Sequence, residues 1–128
     1  FHALPAEEEA LIGETLKAVA RSTAPMPLSV RGPWSLGRGV AYRLASPSLE
    51  ALRSGLAEAF APHLTRQDAA PWRPHITVQN KVEPEVAKQL LQALQHDFEP
   101  FDIVAEGLLV WRYLGGPWEL LARLPFEG

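Results

Sequence analysis

The residues most suited to chemistry in this 128-residue chain lie in the stretch "RPHITVQ", Arg73 to Gln79. It carries an imidazole at His75 and, two residues on, a hydroxyl at Thr77. Side chains alternate along a strand, so His75, Thr77 and Gln79 share one face and Ile76, Val78 and Asn80 the other. The apolar Ile76 and Val78 are expected to pack under a helix, which turns His75 and Thr77 toward the open face of the sheet. Imidazole titrates near neutral pH and can give or take a proton. A threonine hydroxyl can donate a hydrogen bond to an anionic oxygen. Together they suit proton transfer beside a bound anion. The plain alternative is a surface histidine next to a strand-favouring threonine.

An anion also wants a cation, and arginine is the better fork. Arg112 and Arg43 fall in expected strands, Arg38 and Arg73 in adjoining loops. Arg112 is the first choice for substrate binding, with a surface ion pair as its competing role. Tyr113, Trp111 and Trp118 could stack on a base, although core packing competes for them. Gln79 shares the His75 face and could hydrogen-bond a substrate. Trp34 and Trp72 sit in turn-rich segments and could line the mouth of a cleft. His63 and His96 lie at helix C-terminal ends, where a dipole contact explains them. The chain has no cysteine, and its four histidines, His2 among them, show no metal-ligand spacing. Neither a metal nor a cofactor is therefore expected.

The elements that position these residues can be read from periodicity. A helix is expected from Ala6 to Arg21, with Leu11, Ile12, Leu16 and Val19 inward. Leu28 and Val30 begin a strand, "RGPWSLGRG" is a turn-rich link, and Val40, Tyr42 and Leu44 alternate as a second strand. Ser46-Pro47 starts a second helix, and Leu49, Leu52, Leu56 and Phe60 form its apolar stripe. "TRQDAAPWRP" reads as a loop. Glu83-Pro84 starts a third helix, with Val86, Leu90, Leu94 and Phe98 inward. Strands follow at Phe101 to Ala105, Leu108 to Tyr113 and Glu119 to Leu124.

These elements repeat. Residues 1–44 and 79–124 follow the same order, and "VAYRL" resembles "LLARL" near their ends. The helix at about residues 46–64 joins them. The expectation is one α+β domain over residues 1–128, pseudo-twofold and bilobal, with helices outside two small antiparallel sheets that line a cleft. The repeat also bears on the opening "FHALP", which lacks methionine and reads as the end of a strand. A second histidine and threonine are expected just ahead of Phe1, in an upstream piece on the order of 30 to 50 residues. His2 does not substitute for that histidine, because its repeat partner is Asn80, on the opposite face from His75.

Composition narrows the remaining choices. Hydrophobic residues make up 47% and charged residues 21%, enough for a real core and against disorder. A net charge of −3 argues against a protein that coats long stretches of nucleic acid. No apolar run is long enough to span a bilayer and no signal peptide is visible, so a cytoplasmic location and no membrane partner are expected.

"RPHITVQNKV", set after a Pro-Trp loop and before a Glu-Pro helix start, resembles the second motif of the two-histidine (2H) phosphoesterase superfamily, and within it the 2′-5′ RNA ligase family. "FHALP" resembles the segment after that group's first His-x-Thr, and "WRYLGGPW" one near its C-terminus, so the likeness spans the chain. The resemblance implies a metal-free phosphodiester reaction in which two His-x-Thr motifs bracket one phosphate. One histidine acts as base, the other as acid, and the threonines hold the non-bridging oxygens. Carried over, His75 is the second acid/base and Thr77 the second phosphate donor. The implied partner is an RNA end or nucleotide with a cyclic phosphate, and a monomer is expected, with a cleaved N-terminal segment as a further partner. The rival from another class is a non-catalytic module that binds an RNA end or nucleotide on the same scaffold.

Overall fold

The structure is a computed structural model that describes Phe1 and residues 3–128; the expectation for His2 lies outside the described residues. Its helices are α1 (Glu9–Ser22), α2 (Pro47–Ala59), the short α3 (Arg66–Ala69) and α4 (Pro84–Gln95). Its strands are β1 (Met26–Ser35), β2 (Val40–Ala45), β3 (His75–Gln79), β4 (Phe101–Ala105), β5 (Gly107–Tyr113) and β6 (Trp118–Pro125). They form a four-stranded sheet in the order β3-β2-β1-β4 and a two-stranded sheet of β5 and β6. No helix among the described residues is long and apolar enough to cross a membrane. The chain divides into two compact units.

The first unit takes Phe1–Met26, Ala51–Ala69 and Val104–Gly128. Its core is Ile12, Leu56 and Phe60, with Leu4, Leu16, Val19, Leu52 and Leu64 packed around them. Leu11, expected inward, is 60% exposed, because the buried stripe of α1 runs through Ile12 instead. No strand forms at Phe1; its ring meets Phe60 edge-on at 6.0 Å and lies under the Arg53 guanidinium. The loop expected after residue 64 contains α3. Thr65 caps it, its amide donating to Asp68 Oδ2 while the Asp68 amide donates back to Thr65 Oγ1, each at 3.2 Å. This reciprocal cap satisfies the buried Asp68 carboxylate and two helix-start amides. Helix α1 packs against the β5–β6 hairpin.

The second unit takes Pro27–Glu50 and Ala70–Ile103. Here β1 does not stop at Val30 but continues to Ser35, through most of the expected link. A bulge between Val30 and Gly32 makes this possible: Gly32 adopts φ +146°, open to glycine, and proline is tolerated in a sheet beside such a bulge. The turn itself shrinks to residues 36–39. Ser46 caps α2 as expected, its Oγ accepting the Leu49 amide at 3.2 Å.

Helix α4 packs on β2, and Ala87 is its buried residue; Val86, expected inward, is 45% exposed. The same placement overturns the expectation for the motif strand. β3 is the edge strand, beyond the reach of a helix seated on β2, and Ile76 and Val78 stay 43% and 46% exposed. The buried positions of the sheet lie further in, at Val40 and Ala41 of β2 and Val30 of β1.

Candidate functional site

Antiparallel pairing decides which side chains share a face. In the four-stranded sheet, Arg43 pairs with His75 and Ala41 with Thr77, while Tyr42 pairs with Ile76. The Tyr42 ring packs against Phe98, just beyond the end of α4, with centroids 5.9 Å apart. Tyr42 and Ile76 therefore mark the α4 side. His75, Thr77 and Arg43 point to the other side, and Trp34 joins them through its pairing with Ala41.

Two local devices hold this face. Pro74 is buried ahead of His75, and its carbonyl accepts the Leu44 amide at 3.0 Å, which anchors the start of β3. At the other end, buried Gly39 lies so close to β3 that a Cβ there would overlap the Gln79 carbonyl. A shift in register between Val40 and Ala41 lets Gln79 rather than Val78 pair with Val40.

His75 Nδ1 is 2.7 Å from the Arg73 carbonyl oxygen. A carbonyl can only accept, so Nδ1 carries the proton in the neutral ring and Nε2 keeps its lone pair. The imidazole is exposed, and Nε2 is thus available as a base or, once protonated, as an acid. Directly cross-strand, Arg43 is exposed and makes no ion pair among the described residues. Cross-strand neighbours have Cβ atoms roughly 5 Å apart, close enough for one anion to meet both side chains. The Gln79 Oε1 and Trp34 Nε1 atoms are buried with no hydrogen-bond partner among the described residues.

Of the other sequence candidates, Arg38 and Trp72 lie in the second unit, where Arg38 donates to the Val82 carbonyl and faces Glu83 and Trp72 is 39% exposed; Arg112, Tyr113, Trp111 and Trp118 lie in the first, and the hairpin places Arg112 and Tyr113 on opposite faces. Arg112 pairs with Glu119, while Tyr113 pairs with Trp118. The Arg112 guanidinium donates to both carboxylate oxygens of Glu9 on α1, at 2.8 and 3.0 Å, and to Glu119 at 3.3 Å. Hydrogen bonding to Glu9, then its charge, raises the Arg112 pKa above the usual arginine value. A phosphate at Arg112 has to displace a carboxylate. On the other face, the Tyr113 and Trp118 rings lie 4.7 Å apart and are both 59% exposed, with Trp111 beside them.

Sequence reasoning did not anticipate how close Trp34 comes to His75. The only signal was its position in "GPWS", which reads as a turn until the glycine is seen to carry a bulge. A second His-x-Thr, His63-Leu64-Thr65, is of a different kind. It leaves a 3-10 turn and enters α3, and its hydroxyl is committed to Asp68.

An α+β architecture of helices with a four-stranded and a two-stranded antiparallel sheet is that of the two-histidine phosphoesterase fold. The family described as the 2′-5′ RNA ligase superfamily matches residues 1–117, and the chain belongs to it. The crystal structure of TT0787 of Thermus thermophilus is similar over 98% of this chain and 74% of that one, with a TM-score of 0.61 at 18% identity. At that identity the likeness shows the fold. No curated protein matches the chain.

Proposed function

We infer that the protein has a phosphodiesterase-type activity, which membership of the superfamily supports. We propose, more specifically, a metal-independent phosphodiesterase acting on 2′,3′-cyclic phosphate or 2′-5′ phosphodiester groups at RNA or nucleotide ends. The observation that carries this reading is the fixed tautomer of His75, whose Nε2 is available on the face that also holds Thr77 and Arg43. With a cyclic phosphate seated there, Thr77 Oγ1 donates to a non-bridging oxygen and Arg43 balances the charge. His75 either takes the proton from the attacking water or returns one to the departing ribose oxygen. In-line displacement needs the complementary transfer on the far side of phosphorus. Among the described residues of this face His75 is the one imidazole, so the reading gives it one half of the proton-transfer pair. Gln79 supplies a polar contact to the substrate. The first unit, taken by itself, offers an exposed aromatic surface at Tyr113 and Trp118 suited to stacking, and a cation at Arg112 held by Glu9.

The test is turnover of a nucleoside 2′,3′-cyclic phosphate by the intact protein in excess chelator. His75→Ala is expected to lower kcat by roughly 10²- to 10⁴-fold, the usual range for a lost acid/base. Undiminished turnover in that variant refutes the assignment. Tight binding of the cyclic nucleotide with no turnover in the unmodified protein leaves the binding-module reading instead.

A further inference from the structure

We propose that Trp34 is a positioning residue for His75, and that Arg73 acts through it. Three contacts close a ring around the imidazole. The Trp34 indole lies 6.3 Å from the His75 ring, centroid to centroid, with the planes at 58°. The Arg73 guanidinium sits over the same indole, 5.8 Å from its centroid. The Arg73 carbonyl accepts the His75 Nδ1 proton at 2.7 Å. Arg73 thus holds His75 twice, directly by its main chain and indirectly by pressing its cation on Trp34.

The need for such a wall follows from the fold. His75 is an exposed residue at the start of an edge strand, and exposed side chains change rotamer within picoseconds to nanoseconds. A single hydrogen bond to the carbonyl two residues back sets the tautomer but leaves the ring free to swing out. The indole blocks that swing from the β1 side. Its Nε1 donor is buried without a partner among the described residues, so hydrogen bonding to them does not account for a tryptophan here, whereas the breadth of its ring does.

The kinetic part of this inference rests on the phosphodiesterase reading; the spectroscopic part does not. The experiment records the imidazole nitrogen resonances of His75 across a pH titration, with cyclic-nucleotide turnover, for the unmodified protein, Trp34→Phe, Trp34→Leu and Arg73→Met. In the unmodified protein the neutral ring is expected to show an Nδ1-protonated pattern. Trp34→Phe keeps a ring and is expected to keep that pattern. Trp34→Leu is expected to shift it toward a freely exchanging ring and to lower kcat by roughly 10- to 100-fold, the penalty for loosening a reacting group by about an ångström, with KM little changed. Arg73→Met alters only an exposed side chain and retains the carbonyl, so it is expected to move the resonances in the same direction by less. Nitrogen resonances unchanged in both Trp34→Leu and Arg73→Met overturn the proposal. Absence of turnover in the unmodified protein refutes the phosphodiesterase reading alone and leaves the resonances to decide the positioning role.

Discussion

Replacing Gly39 by alanine puts a single methyl group against the backbone that ends the motif strand. The added Cβ would overlap the Gln79 carbonyl oxygen and lie 2.9 Å from Asn80 Cα. Both neighbours are main chain, so no side chain can rotate to relieve the crowding. Overpacking of this kind costs about 1–3 kcal/mol. Separating the strands adds the loss of roughly one ladder hydrogen bond, about 1 kcal/mol. The reduced freedom of the unfolded chain returns about 0.4–1 kcal/mol. The net expectation is a destabilisation of roughly 1–3 kcal/mol, and with a urea slope near 2 kcal/mol/M the midpoint falls by on the order of 1 M. The same chemical change at Gly13 in α1 and Gly55 in α2 meets nothing within 4 Å. There alanine is expected to stabilise by about 0.5–1 kcal/mol, through helix propensity alone. Equilibrium urea unfolding of the three variants reads the contrast in sign directly. A Gly39→Ala midpoint at or above the unmodified protein, at unchanged slope, refutes the crowding argument.

Other expectations follow from the same contacts. Phe60→Ala removes the centre of the first unit's core and is expected to cost about 3–5 kcal/mol in urea unfolding, with Phe60→Leu costing much less. Ser46→Ala loses the cap of α2, about 1 kcal/mol, readable in the same assay. Arg112 has a raised pKa in the fold, so whatever its pairing contributes is present below the unfolded value and is lost only as pH rises through the folded one, beyond the usual arginine range. The difference in stability between the unmodified protein and Arg112→Met is therefore expected to stay flat from pH 7 to 10 and to shrink with added salt; a marked decline across that pH range contradicts the assignment. Ile76→Lys, on the exposed side of the edge strand, is expected to leave stability nearly unchanged and to reduce self-association in light scattering.

Much of the motif's placement is legible in the sequence, because it depends on period. Two-residue alternation sends His75 and Thr77 to the side away from Tyr42, and the structure agrees. The Ser46-Pro47 helix start is equally local. What is not legible depends on neighbours distant in sequence. That Ile76 and Val78 remain exposed follows from where α4 lands, and nothing in "HITV" signals that position. That Trp34 reaches His75 depends on a bulge at Gly32, and glycine followed by proline reads as a turn when no partner strand is known. Arg112 and Tyr113, read together as substrate-binding candidates, are neighbours in sequence and so fall on opposite faces of the hairpin, and only the carboxylates of Glu9 and Glu119 reveal how firmly Arg112 is held. Leu11 and Val86 failed for a shared reason: each precedes by one residue the position that the helix presents to its partner.

The bond from His75 to the Arg73 carbonyl spans two residues, with a proline of fixed φ between them. Acceptor, rigid spacer and imidazole form a cassette of three consecutive residues that carries its own proton address. Which nitrogen meets an acceptor is set by residues adjacent in sequence, and the indole of Trp34 then limits how far the ring can leave that bond. Substitutions elsewhere in the second unit can then accumulate without disturbing the orientation of the imidazole, so long as acceptor, proline and wall persist.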